Sequence, residues 1–206
     1  MRLPSASLLY ILAASTTAHS LSFHNLFAPD TQTPLDPAAM SQKQQEQHTL
    51  SQPGVLISDV MGRDRSVNIF AGFARDVEVV ARRLDDSATN STVLAPLNSA
   101  IDKLPGKPWE DPNEYNALGA TAYDGDEGQE RARRNIRRFV QAHVVPVSPW
   151  KEKKRTRSLL DGDKEIWWEM KDGAMLLQPD GIEIQSVASK VGNGEVWIIK
   201  SVRKYA

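Results

Sequence analysis

The chain has 206 residues, 40% hydrophobic and 25% charged, with 25 Lys or Arg against 26 Asp or Glu and a formal net charge of -1. That length and apolar content suit one sizeable core, and so balanced a charge excludes a bulk polycation coating nucleic acid over its whole surface. Cysteine is absent, which excludes disulfides, thiolate metal sites and a cysteine nucleophile. Of the 4 histidines, His19, His24 and His48 fall early, which leaves His143 alone in the part expected to fold.

Residues 1–20 read as a secretory signal peptide. Arg2 starts it, Leu8-Leu9-Tyr10-Ile11-Leu12-Ala13-Ala14 is its apolar run, and small Ala18 and Ser20 place cleavage near Ser20. An uncleaved N-terminal helix is the alternative. The run is far shorter than the ~20 apolar residues that span a bilayer. No other segment reaches that length, so no integral membrane segment is expected. The final run Val202-Arg203-Lys204-Tyr205-Ala206 carries neither a hydrophobic anchor nor a retention signal. The expected route is the secretory pathway, ending in a vacuole lumen or at the extracellular cell wall. Residues 21–52 are rich in Gln, Ser, Thr and Pro without apolar period. That composition predicts a disordered polar leader, with room for a short helix over Ser41–Leu50. Residues 53–206 are expected to form a single domain.

From Gly54 onward the pattern becomes amphipathic. Phe70, Phe73, Val77, Val80 and Leu84 recur at steps of three and four, which predicts one helix over about 66–85 with Ser66 as its N-cap. Thr92-Val93-Leu94-Ala95 is a short buried strand ended by Pro96, and Leu97, Ile101 and Leu104 suit a short helix after it. The Pro- and Gly-rich residues 105–128 read as an irregular surface excursion. A second helix is expected over Glu130–Ala142, its stripe formed by Ala132, Ile136, Phe139 and Val140 and continued by His143. Val144-Val145-Pro146 begins a strand. Beyond Arg157 the period is two. Ile166–Met170 and Ala174–Leu177 form a hairpin through Lys171-Asp172-Gly173. Turns at Pro179-Asp180-Gly181 and Gly192-Asn193-Gly194 then separate a strand carrying Ile182, Ile184 and Val187 from Val196–Ile199. The class is α+β, with a helical N-terminal half and a β-meander C-terminal half.

Three segments, in this order, resemble the fasciclin-type cell-adhesion domain. The first runs Thr92-Val93-Leu94-Ala95-Pro96-Leu97-Asn98-Ser99-Ala100-Ile101, a strand, an Ala-Pro corner and an Asn that opens a helix. The second is Phe139-Val140-Gln141-Ala142-His143-Val144-Val145-Pro146, and the third is Asn193-Gly194-Glu195-Val196-Trp197-Ile198-Ile199. With Ile166-Trp167-Trp168-Glu169 between them, the set is most similar to the single-domain fungal branch of the family. The resemblance implies a β-wedge of short strands flanked by helices, with no cofactor, no metal and no catalytic residues. It also implies a role in adhesion or wall association, and some fungal members resemble vacuolar residents. Ala142 stands where the family usually places a Tyr before the His, so integrin binding is not carried over. Trp197 and Lys200 replace the His and Asp of the last box.

Candidate chemistry is sparse. His143 reads either as a proton-transfer group or as a core histidine whose ring nitrogens bond backbone and fix the helix-to-strand corner. Between 110 and 130 lie Glu110, Asp111, Glu114, Asp124, Asp126, Glu127 and Glu130 with no Lys or Arg. Carboxylates so close could serve a hydrolase or bind calcium, although Asp124-Gly125-Asp126-Glu127-Gly128 lacks the full spacing of a calcium hand. Residues 131–157 hold ten Lys or Arg against Glu152 alone. Arg133, Arg134, Arg137, Arg138, Lys153, Lys154 and Arg155 read as an anion surface for a glycan or other acidic partner, or as charge neutralised by the preceding acidic stretch. Asn90-Ser91-Thr92 makes Asn90 a glycosylation candidate. Trp167 and Trp168 must point to opposite faces of one strand, and the outward ring is either a cover or a ligand platform. The expected function is that of a non-enzymatic exported interaction module with an unknown protein or glycan partner and no nucleic acid. The alternatives are an anion- or glycan-binding lumenal protein built on 131–157 and a carboxylate-based hydrolase.

Overall fold

The computed structural model describes residues 54–205. The expected signal peptide and polar leader lie outside these residues. The described chain opens with α1 (Ile57–Val60), a 3-10 turn (Arg65–Val67), α2 (Asn68–Asp76) and α3 (Glu78–Leu84). Strand β1 (Ser91–Pro96) follows, then α4 (Asn98–Asp102), α5 (Pro112–Leu118), a 3-10 turn (Gly119–Thr121) and α6 (Gly125–Ala142). The remaining strands are β2 (Val144–Val145), β3 (Trp167–Lys171), β4 (Ala174–Gln178), β5 (Ile182–Val191) and β6 (Gly194–Ile199). They form one curled six-stranded sheet in the order β2-β1-β6-β5-β4-β3, in which β1 and β6 run parallel and the other neighbours antiparallel. The α+β class, with helices in the first half and strands in the second, is as the sequence indicates.

Two cores lie on opposite faces of β1 and β6. Strand side chains alternate between faces, so Val93, Ala95, Val196 and Ile198 join Ile57, Phe70, Val80, Leu84, Phe139 and Val140 on the helical side. Leu94, Trp197 and Ile199 join Val145, Trp150, Ile166, Leu177, Ile182 and Ile184 on the other. Both strands are buried throughout. This explains why their segments read as continuous apolar runs rather than as alternation.

Four expectations need correction. The helix over 66–85 is two helices. Val77 leaves helical geometry at φ -90° and ψ 92°, and the break lets Phe70 and Ala74 on α2 and Val80 and Leu84 on α3 enter the same core. Ser66 is not the cap. The Asp64 carboxylate accepts the Ser66 N–H at 2.8 Å, and hydrogen bonding from the Ser66 side chain and then from this N–H holds Asp64 below the usual carboxylate range. The stretch 105–128 contains α5, capped by Asp111 through the Asn113 N–H at 2.8 Å with Pro112 in the first turn. α6 also starts at Gly125 rather than Glu130. Gly128 lies inside it because a Cβ there would sit 2.2 Å from the Tyr123 carbonyl carbon, so close packing rather than a turn requires that glycine. The hairpin is as expected, with Asp172 at φ 51° and Gly173 at φ 80° matching the right-handed strand twist. Register shifts in β5 around Ile184/Ser186 and Val187/Ser189 explain the broken period of that strand.

Candidate functional site

His143 ends α6 at the corner into β2 and is 0% exposed. Its Nδ1–H donates to the Phe139 carbonyl at 2.7 Å, and its Nε2 accepts the Arg203 N–H at 3.1 Å. Phe70 and Phe139 pack on the ring at centroid distances of 5.6 and 4.8 Å. Burial pulls the imidazole down to about 3, outweighing the Phe139 carbonyl, which favours the charged form. The ring is therefore neutral with a fixed tautomer. Both nitrogens are committed to backbone, so it has no lone pair or proton to offer a substrate.

Arg203 was not singled out by the sequence, yet it anchors the neighbourhood of His143. Its guanidinium is 2% exposed and donates to the Ala142 carbonyl and to Asp163, with Nη1 at 3.0 Å from Oδ2 and Nη2 at 3.4 Å from Oδ1. Asp180 lies 3.8 Å from Nε. Burial would raise the Asp163 carboxyl, but Arg203 and the Ser158 hydroxyl together hold it below its ordinary value. Val202 and Tyr205 pack on the helical core beside it. Its hydrogen-bond partners Asp163 and Ala142 lie 40 and 61 residues from Arg203 in sequence, so only the two apolar residues around it hinted that this segment packs.

The other box residues are also built into the frame. Buried Asn193 accepts the Ile57 N–H on Oδ1 at 2.8 Å and donates from Nδ2 to the carbonyls of Leu84 and Asp86 at 2.8 and 3.1 Å. It thus ties α1 and the end of α3 to the last turn. Gly194 has φ 149°, and a Cβ on it would lie 1.8 Å from the Ser91 carbonyl oxygen. Asn98 accepts the Ile69 N–H at 3.1 Å and donates to the Arg65 carbonyl at 2.8 Å, joining α4 to the start of α2. Thr92 Oγ donates to the Val147 carbonyl at 2.6 Å. Ala95 is buried in the helical core, Pro96 is the last residue of β1 opposite Ile199, and Pro146 is exposed after β2.

The acidic stretch 110–130 supplies partners to four of the five arginines of α6, all but the exposed Arg137. Arg134 pairs with Glu114, Arg138 with Asp111 at 3.7 Å, Arg131 with Glu127 at 3.6 Å and Arg133 with Glu130 at 3.6 Å. Glu114 also accepts from Asn135 Nδ2 at 2.9 Å and from the Tyr123 hydroxyl at 3.1 Å. Burial pushes the Glu114 carboxyl up, and these hydrogen bonds with the Arg134 charge leave it below its ordinary value. Asp124, Asp126, Glu127 and Glu130 are exposed. Among the described residues, no three His, Asp or Glu side chains converge to hold a metal ion. A cleft of about 370 Å³ opens between residues 104–112, α6 and the 202–205 segment, with Leu104, Pro105, Asn135, Arg138 and Tyr205 in its walls. Lys107, Glu110 and Asp111 also line it, and Asp111 is paired with Arg138.

Lys153, Lys154 and Arg155 stand apart from α6, on the connection that precedes β3. Trp150 is buried in the second core and stacks on Trp197 at 5.6 Å. Trp168 packs edge-on against Trp197 at 5.7 Å, whereas Trp167 on the opposite face of β3 lies under the Arg155 guanidinium at 4.2 Å. Asn90 is exposed at the mouth of β1.

No family model matches the chain. A FAS1 domain-containing protein of Neurospora crassa is 47% identical over 223 residues, an alignment covering 94% of this chain and 96% of that protein. The chain belongs to the FAS1 domain family. FAS1 domain-containing proteins of Aspergillus fumigatus and Emericella nidulans are 45% and 51% identical over 151 and 148 residues. Those two alignments take in 73% and 71% of this chain and 64% and 60% of the relatives, so the chain spans less than two thirds of their length. A solved FAS1 domain pair from the insect cell adhesion molecule fasciclin I aligns with a TM-score of 0.49 and 10% identity, covering 74% of this chain and 51% of that one. The three sequence boxes thus lie in a member of the family they resemble.

Proposed function

We propose that this FAS1 protein is a non-enzymatic interaction module of the adhesion type, exported and working in a vacuole lumen or at the cell wall. The observation that carries the reading is the fate of the one histidine of the fold. His143 is buried, neutral and bonded to backbone through both nitrogens. Asn98 and Asn193 likewise turn inward to fix the chain path, which leaves the charged outer surface as the part able to meet a partner. Export rests on residues 1–20 and is supported by the exposure of Asn90, where an N-glycan has room.

The test uses the full chain. Purified protein is sedimented with isolated fungal cell walls, and saturable retention is expected. A protein retained by neither walls nor vacuolar membranes overturns the module. In parallel, the chain is imaged with a C-terminal fluorescent tag, and the Asn90→Gln variant is compared with wild type after treatment with an N-glycosidase. Signal in the vacuole or at the surface, with a mass shift lost in Asn90→Gln, is the expected outcome. Diffuse cytosolic signal with Met1 retained overturns export. A second reading, binding of anionic glycans, is favoured by Lys151, Lys153, Lys154 and Arg157, which are exposed and have no carboxylate partner among the described residues.

A further inference from the structure

The sequence groups the α6 arginines with Lys153, Lys154 and Arg155 as one anion surface, and the fold separates them. On α6, Arg131, Arg133, Arg134 and Arg138 each have a carboxylate partner, and Arg137 alone is exposed without one among the described residues. On the connection before β3, Lys151, Lys153, Lys154 and Arg157 are exposed and, among the described residues, have no carboxylate within 4.0 Å. The one acid there, Glu152, accepts the Met170 N–H at 3.1 Å. Arg155 reaches Glu165 only at 3.8 Å and sits over the Trp167 ring at 4.2 Å.

This charged turn is held rigid from beneath. The Trp150 indole N–H donates to the Lys154 carbonyl at 2.8 Å, and the Trp168 indole N–H donates to the Trp150 carbonyl at 3.0 Å. Lys153 N–H donates to the Trp168 carbonyl at 2.8 Å, with Lys153 itself at φ 58°. Thr156 and Ile166 exchange backbone hydrogen bonds at 2.9 and 2.7 Å. A backbone already fixed loses little further freedom when its side chains engage a ligand.

We propose that residues 151–157, with the Arg155–Trp167 stack beside them, form a docking surface for an anionic polysaccharide, a linear chain bearing carboxylate, sulfate or phosphate groups. The inference rests on the reading of the protein as an interaction module and names its partner class. Lysines are point charges without a fixed fork, so several spread along a turn suit repeated anionic groups better than one bidentate oxyanion. Their aliphatic stems and the Trp167 ring supply apolar contact for sugar faces. Met170 is the single large apolar side chain exposed on β3, which gives a bilayer little surface to bury.

The experiment measures binding of the purified full chain to immobilised heparin and to polygalacturonate at about 50 mM salt, where surface charges are weakly screened. Neutral dextran, anionic phospholipid vesicles and single-stranded DNA serve as the other probes. Both acidic polysaccharides are expected to bind. K153E/K154E is expected to lower affinity at least about tenfold, K153Q/K154Q to lower it less, and R133E/R137E to change it by less than about twofold. Unchanged melting of each variant verifies the fold. Wild-type affinity in a folded K153E/K154E, an equal loss in R133E/R137E, or capture by vesicles or DNA in preference to both polysaccharides overturns the proposal. Those results leave wall retention of the wild-type chain intact, whereas failure of the module itself abolishes that retention.

Discussion

On the helical side of the sheet, polar side chains face inward. Asn193, Asn98 and His143 bond the backbone of neighbouring helices and turns, with Asn193 and His143 fully buried and Phe70 and Phe139 packed on the imidazole. On the tryptophan side the core is built from indole and aliphatic groups, and its polar atoms reach outward. The Trp150 and Trp168 N–H groups hold the connection whose cations face solvent. One strand pair, β1 and β6, supports both arrangements. The difference separates two tasks, since buried amides and an imidazole fix the path of the chain while stacked rings carry a displayed charge.

The largest expected effect breaks the helical side. Gly194→Ala puts a Cβ against the Ser91 carbonyl and should destabilise by more than about 4 kcal/mol, enough to lose folded protein in a denaturant titration. A variant that melts near wild type would show that the β1–β6 contact is not what fixes the last turn. Trp150→Ala attacks the other side and should cost about 3–5 kcal/mol. Amide exchange should then speed up at residues 151–157 more than at 135–143, and uniform acceleration would erase the contrast.

His143→Ala should cost about 2–3 kcal/mol, the loss of a buried ring with its hydrogen bonds. The same site gives an acid dependence. The folded pKa is about 3 against 6.5 for the free group, so the unfolded state binds the proton first. Stability from this site is complete above about pH 6.5 and falls as pH drops toward 3, with a slope of up to about 1.4 kcal/mol per unit. Melting in His143→Ala should be flatter over that window, and an unchanged slope would exclude the imidazole as its source. Glu114→Gln is a smaller perturbation, about 1–2 kcal/mol. It removes the carboxylate that pairs with Arg134 and accepts from Asn135 and Tyr123, and a denaturant titration should show the loss. Arg137→Glu on the solvent face should change stability by no more than about 0.5 kcal/mol.

Much of the fold was legible because the short-range signals agree with the long-range ones. The Asp172-Gly173 turn, the Asn193-Gly194 turn and the apolar stripe from Ile136 to Val140 each specify their element locally. The division of α2 from α3 was hidden, since Val77 continues the stripe in spacing and departs from the helix only in backbone angles. The Pro112 and Asp111 pair did carry the signature of α5, masked by the glycines around it. Of the site, His143 was visible as a residue on an apolar face. Arg203 was not, because its partners Asp163 and Ala142 come from distant segments and no spacing rule links them. The separation of the two basic stretches was likewise a matter of which carboxylates the fold delivers to which helix.

The parallel pairing of β1 with β6 joins residues 91–96 to residues 194–199. A ribosome therefore releases the first of these strands long before its central neighbour exists, and hydrophobic closure of either side must wait until residues 194–199 have been made. Ser91 and Thr92 are shut inside the finished sheet, so any enzyme that reads Asn90-Ser91-Thr92 has to act during that delay. The order of synthesis, more than the exposure of the mature surface, sets when that asparagine is open to attachment.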